Sequence, residues 1–169
     1  QINTCTSYST SDNFSHQAEL ALLNARLQLA QGKTGEALSL LHTWQHKAQE
    51  HGFARVVLEV LVLQALVHHA RKETSQAQQV LLQALTLAQP EGYQRLFLDE
   101  SPVLAELLRA VLLTIHSEQL GTFTRELLHA FVREQATNAS EPTEFAAEAA
   151  LIEPLSPQEK RVLRLLAAG

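Results

Sequence analysis

Three observations predict an all-α fold of stacked helical hairpins. The chain of 169 residues is rich in Ala, Leu, Gln and Glu, and its six Gly and five Pro stand at punctuation points. No segment alternates apolar and polar residues with a period of two. Sliding the chain by forty positions brings Ala25 onto Ala65, Leu27 onto Val67, Ala30 onto Ala70, Thr34 onto Thr74, Ala37 onto Ala77, Leu41 onto Leu81 and Ala48 onto Ala88. Gly52-Phe53 falls on Gly92-Tyr93, and Arg55 on Arg95. Small residues meet small and large apolar meet large, as repeated close helix packing requires.

Residues 1–14 read as a polar tail, followed by a helical-repeat domain over 15–134. Helix A of the first hairpin is expected from about Ser15 to Gln31, with Gly32-Lys33 as the turn and Gly suited to a left-handed cap. Thr34 is expected to cap helix B, which runs to about Glu50 before Gly52. In the second hairpin, helix A covers Phe53 to Arg71, and Thr74 caps a helix B that ends at Gln89 before Pro90 and Gly92.

A third, irregular hairpin follows. Tyr93–Leu98 begins a helix that Asp99-Glu100-Ser101-Pro102 interrupts, and Ser101 with Pro102 restarts it. Leu104, Leu107, Leu108, Val111 and Ile115 share one helical face. A partner helix after Ser117 carries Leu120, Phe123, Leu127, Leu128 and Phe131, and its pattern ends near Arg133. Residues 135–154 hold two prolines, at 142 and 154, and read as an acidic linker. Ser156-Pro157-Gln158-Glu159 then opens a capped helix with Val162, Leu163, Leu165 and Leu166 on its apolar face.

Composition excludes several classes. Thirteen Lys and Arg against eighteen Asp and Glu give a net charge of −5, which is not a generally basic nucleic-acid surface. A single cysteine, Cys5, forms no internal disulfide and no Cys-based zinc motif. The longest apolar-rich run, Val56–Val67, is broken by Glu59 and Gln64 and is too short to cross a bilayer. The polar first fifteen residues contain no secretory signal, so a cytoplasmic location is expected, and the Asn13 and Asn138 sequons are read as unused. The absence of Met, at position 1 included, reads as a processed or excised chain.

The stretch Leu155-Ser156-Pro157-Gln158-Glu159-Lys160-Arg161-Val162-Leu163-Arg164-Leu165-Leu166-Ala167-Ala168-Gly169 resembles the opening helix of a LuxR-type helix-turn-helix domain, differing at Gln158 and Arg161. Gly92–Glu100, with Arg95, Phe97 and Asp99, is similar to a segment of the large bacterial activators of the MalT type. The hairpins resemble tetratricopeptide repeats through Ala25, Gly32, Ala37 and Leu41, and through Ala65, Ala77, Leu81 and Ala84, with departures at Trp44 and at the turn residue Lys72. These resemblances imply the helical-repeat sensor region of an ATP-dependent LuxR-family transcriptional regulator, coiled as a right-handed superhelix. They imply an ATP-binding module upstream and a truncated DNA-binding domain at residues 155–169, so that DNA is bound only through the missing remainder. No cofactor is expected in this chain itself.

The tetratricopeptide likeness also implies a concave groove lined by the A helices. The groove-facing positions carried over are Glu19, Leu22, Arg26 and Leu29, then Glu59, Val62, Leu66 and His69. They describe an apolar floor with Arg26, His69 and two carboxylates as anchors, suited to a small amphipathic effector or a partner helix. The competing reading makes Leu22, Leu29, Val62 and Leu66 ordinary core between neighbouring A helices. An adaptor that takes a peptide in this groove is the alternative function. The apolar helix at the end of the chain is expected to dock on a neighbouring copy, giving a homo-oligomer, or back onto the repeats, the alternative being that it frays.

Catalysis and metal binding find little support. His42 and His46 share a helix face, but no carboxylate or Cys is read beside them to complete a metal site, and His68 and His69 diverge. Gln31-Gly32-Lys33-Thr34 is a turn, since a phosphate-binding loop needs an earlier Gly. Arg95 and Asp99, four apart, are placed to pair. The chain is therefore expected not to be an enzyme.

Overall fold

A computed structural model of the chain describes the backbone of residues 6–140 and the side chains of residues 13–134. Among these residues there are seven helices and no strand: α1 (Thr6–Ala30), α2 (Thr34–Glu50), α3 (Ala54–Ala70), α4 (Thr74–Ala88), α5 (Arg95–Leu98), α6 (Val103–Leu112) and α7 (Glu118–Ser140). The expected linker beyond Ser140 and the LuxR-like helix at 155–169 lie outside the described residues. A boundary between two units falls between Phe131 and Val132. The first unit contains the hairpins; of the second, the described part is the last stretch of α7.

The hairpins form because each short turn closes in the same way. Gly32 adopts a left-handed φ of 74°, its N–H donates to Leu29 O at 3.0 Å, and the Lys33 N–H donates to Gln28 O at 2.8 Å. This is the Schellman pattern, which satisfies carbonyls left open at a helix end. It recurs at Gly52, at Lys72 and at Gly92, every twenty residues. The turn is so short that the residue after the left-handed position is also the N-cap of the next helix. Lys33 and Glu73 therefore occupy the N-cap, and no side chain caps α2 or α4. Thr34 and Thr74, expected as caps, are each the first helical residue instead.

Packing follows the small residues. Ala25, Ala37, Ala48, Ala65, Ala77, Ala84 and Ala88 are all buried, which lets helix backbones approach closely, while Leu41, Leu58, Leu81 and Leu85 fill the space between them. Each such leucine contributes roughly 1.5–3 kcal/mol through burial. Helix α3 is the centre of the repeat unit, apolar on nearly all sides and packed against α1, α2 and α4. Its one central amide, Gln64, is buried and donates to Gln45 Oε1 at 2.9 Å, so no buried donor is lost there. Trp44, where repeats of this kind carry a small residue, is accommodated by Phe14 at 5.5 Å between ring centroids, and Phe14 stacks on Phe53 at 4.5 Å.

Three boundaries differ from expectation. Helix α1 starts at Thr6, because residues 6–14 contain neither Gly nor Pro to stop a helix anchored by Phe14. Helix α6 ends at Leu112, so Ile115 lies in the connection and not on its face. Helix α7 continues past Arg133 to Ser140, into the stretch read as linker, since the first proline comes only at 142. The restart also shifts by one residue: Pro102, read as the first helical position, is the N-cap, and Ser101 lies before it. The Val103 N–H donates to Ser101 Oγ at 3.4 Å, and Pro102 already has helical angles. Helix α6 lies against α4, and Phe97 meets Phe123 of α7 edge-on at 6.5 Å.

Candidate functional site

The A helices α1 and α3 do run side by side, and a cleft of about 300 Å³ opens between them. It is lined by Ala18, Glu19 and Leu22 from α1 and by Arg55, Val56 and Glu59 from α3. Three of the eight expected groove residues therefore share one cavity. Arg55 Nε donates to Glu59 Oε1 at 3.0 Å across one helical turn, which leaves the exposed Glu19 as the second carboxylate at the mouth.

The apolar floor differs from the groove reading. Leu22, Val62 and Leu66 are buried in the core, and Leu29 packs against it half-buried. Of the four, Leu22 alone lines the cleft, and it is almost fully buried. Arg26 is not free to anchor a ligand, because its guanidinium is held by Glu100, from the junction of α5 and α6. His69 is half-buried, and its carbonyl accepts the Lys72 N–H in the turn. What remains of the groove is a narrow polar-rimmed cleft.

A larger cleft lies on the side of the B helices. It measures about 520 Å³ and is lined by Ala48, Gln49, Gly52, Ala54, Val57, Leu58, Leu87, Glu91 and Tyr93. A second hollow of about 410 Å³ shares Gln49, Val57 and Leu87 with it and continues along Gln45, Leu61, Leu82, Gln83 and Thr86. The two form one groove between α2 and α4, floored by α3. Sequence reasoning passed over this face. The signal that marks it is Leu87, an apolar residue that remains half exposed near the end of α4. A cavity of this size, mostly apolar with Gln49 and Glu91 as polar groups, suits a small amphipathic molecule.

Polar clusters elsewhere are structural. His68 Nδ1 lies 2.6 Å from Glu73 Oε2, and Arg71 Nε donates to Glu73 Oε1 at 2.8 Å. The hydrogen bond from His68, then that from Arg71, hold the Glu73 carboxyl below its ordinary range against the opposing effect of burial. An ionised carboxylate only accepts, so His68 carries its proton on Nδ1. This cluster ties the end of α3 to the start of α4. His46 has a carboxylate beside it after all: Glu50 Oε1 lies 3.4 Å from Nδ1, one turn further along α2. Even so, no three His, Cys, Asp or Glu side chains among the described residues are grouped to hold a metal. Arg95 and Asp99 pair at 2.9 Å, as their spacing predicts. No helix among the described residues is long and apolar enough to cross a membrane.

The family model described as the MalT-like TPR region matches residues 2–114, which covers α1 to α6. No curated protein and no solved structure matches the chain.

Proposed function

This chain belongs to the MalT-like TPR region family, and from that premise we propose that it is the effector-sensing and protein-interaction region of a bacterial transcriptional regulator. It acts without catalysis, in the cytoplasm, and controls a LuxR-type DNA-binding domain that begins at Leu155. The observation that carries this reading is the order of parts. Hairpins of the matched family are followed by a stretch whose residues, Leu155 to Gly169, resemble a LuxR-type opening helix.

The effector site is the 520 Å³ cleft between the turns at Gly52 and Gly92. Its walls come from both hairpins, so a ligand there bears on how one repeat sits against the next. Glu91 and Gln49 supply the polar contacts, and Val57, Leu58 and Leu87 supply the apolar ones. A thermal-shift screen of the chain against small amphipathic metabolites tests the assignment. A saturable rise in melting temperature that is lost in Leu87→Glu is expected. Leu87 is half exposed, so the substitution leaves the fold in place. No shift with any compound, or a shift that survives Leu87→Glu, overturns it.

A second reading has its own support. The cleft continues into the neighbouring hollow along α2 and α4, and an elongated groove fits a peptide or helix. Capture of a peptide by wild type and not by Leu87→Glu, with no small-molecule shift, would favour this adaptor role.

A further inference from the structure

We infer that the cleft between the Gly52 and Gly92 turns takes an amphipathic monoamine, whose ammonium group meets Glu91 and Tyr93 while its apolar body runs along the groove between α2 and α4. This rests on the reading of the cleft as the effector site, and it names the chemical class of the effector. The first support is the sign of the charge. Among the residues that line the 520 Å³ cleft and the 410 Å³ hollow beyond it, Glu91 is the one carboxylate, and there is no Lys, Arg or His.

The second support is that the chain's own cations stay off this carboxylate. Among the described residues the Glu91 side chain has no hydrogen-bond or ion-pair partner. The Lys and Arg residues nearest in sequence to the lining residues are engaged elsewhere. The Lys47 ammonium lies 4.9 Å from the centre of the Trp44 ring, Arg55 holds Glu59 at 3.0 Å, and Arg95 holds Asp99 at 2.9 Å. An anionic ligand would therefore meet an uncompensated like charge, and a neutral one would crowd water from Glu91 without replacing it. An ammonium group supplies both the counter-charge and the N–H donors. Tyr93, 36% exposed at the same end of the cleft, adds an aromatic ring of the kind that attracts a cation.

The third support is the direction of the groove. Glu91 and Tyr93 stand at the Gly92 turn, and the hollow that continues from them is lined by Val57, Leu61, Leu82 and Leu87 with uncharged Gln and Thr side chains. One end thus offers a carboxylate and the length beyond it offers apolar surface. A ligand with one charged head and one apolar body matches this order. A diamine does not, since its second ammonium would lie among Val57, Leu61 and Leu82 with no carboxylate to meet it. Affinity comes from the apolar body. Glu91 sets the preferred sign, because an ion pair to an exposed carboxylate changes affinity by up to about fivefold.

Isothermal titration of the intact chain with octylamine, octanol and octanoate at neutral pH tests this. The apolar body is constant and the head group alone changes, with the amine protonated as a lysine is. Octylamine is expected to bind saturably, octanol about fivefold more weakly, and octanoate more weakly still. The corresponding terminal diamine is expected to bind more weakly than octylamine. Glu91→Gln is expected to bring octylamine down to the level of octanol. Glu91 is exposed and without a partner, so this variant keeps the fold. Glu36→Gln, which removes the same charge from an exposed position outside the groove, is expected to leave octylamine binding unchanged. Equal binding of the three head groups, or equal weakening by the two variants, overturns the amine assignment and leaves the cleft as an effector site. Binding of a capped Lys-Leu-Leu peptide without binding of octylamine overturns it in favour of the peptide adaptor. No binding of any probe overturns it as well, and the effector site falls with it only if the wider thermal-shift screen also finds nothing.

Discussion

Lys72 holds a left-handed backbone conformation at φ 63°, where the three equivalent turns have Gly at 74°, 73° and 66°. Replacing it with Gly is expected to stabilise the protein. An L-residue in this region carries about 1–2 kcal/mol of strain relative to Gly. Gly gives back about 0.5–1 kcal/mol through its greater freedom in the unfolded chain. Lys72 is exposed, so little packing is lost. The balance favours Lys72→Gly by about 0.5–1 kcal/mol, or roughly 2–4 °C in melting temperature. The reverse experiment is Gly52→Ala. A Cβ added at Gly52 meets nothing within 4 Å, so its effect is backbone strain alone. It is expected to destabilise by a similar amount. Urea denaturation followed by the fluorescence of the single tryptophan, Trp44, reads both variants, with an unchanged m-value confirming that the unfolded states are comparable. A loss of stability in Lys72→Gly, or a gain in Gly52→Ala, would refute the equivalence of the four turns.

Other expectations follow from burial and charge. Ala37 and Ala77 are fully buried at helix crossings, so Ala37→Leu and Ala77→Leu should each overpack and cost about 1–3 kcal/mol; an unchanged denaturation midpoint would contradict the packing described. Glu73 has a depressed folded pKa, so its contribution is fully present above the ordinary carboxylate range and is lost as pH falls through the folded value. The stability gap between wild type and Glu73→Gln should therefore close in acid, and a gap that widens there would contradict the His68–Glu73–Arg71 arrangement. With a net charge of −5, the chain should show no salt-sensitive retention of duplex DNA near about 0.1 M salt, and a gel shift that vanishes at higher salt would contradict this.

The hairpins were legible because close helix packing constrains residue type. Ala37 and Ala77, or Ala25 and Ala65, admit nothing larger, and the offset of forty carries that constraint into the sequence. The finer recurrence every twenty residues was hidden, because Lys72 stands where the other turns have Gly. Thr34 and Thr74 looked like caps, yet the Schellman turns assign that place to Lys33 and Glu73. The groove was legible only in part. Apolar residues such as Leu22, Val62 and Leu66 look alike whether they floor a groove or fill a core, and the neighbouring helices decide which. The B-side cleft carries no charge pattern or motif. It arises where two turns and the end of α4 stand apart, which no local pattern encodes.

The central claim is that the repeats sense an effector on behalf of a DNA-binding domain. The direct measurement is duplex binding by the full-length regulator proposed above, using duplexes selected from a random pool, with and without the compound identified by thermal shift. Wild type and Leu87→Glu should bind the duplex equally without the compound, and only wild type should change its affinity when it is added. An identical response in both proteins, or no response in either, would contradict the account.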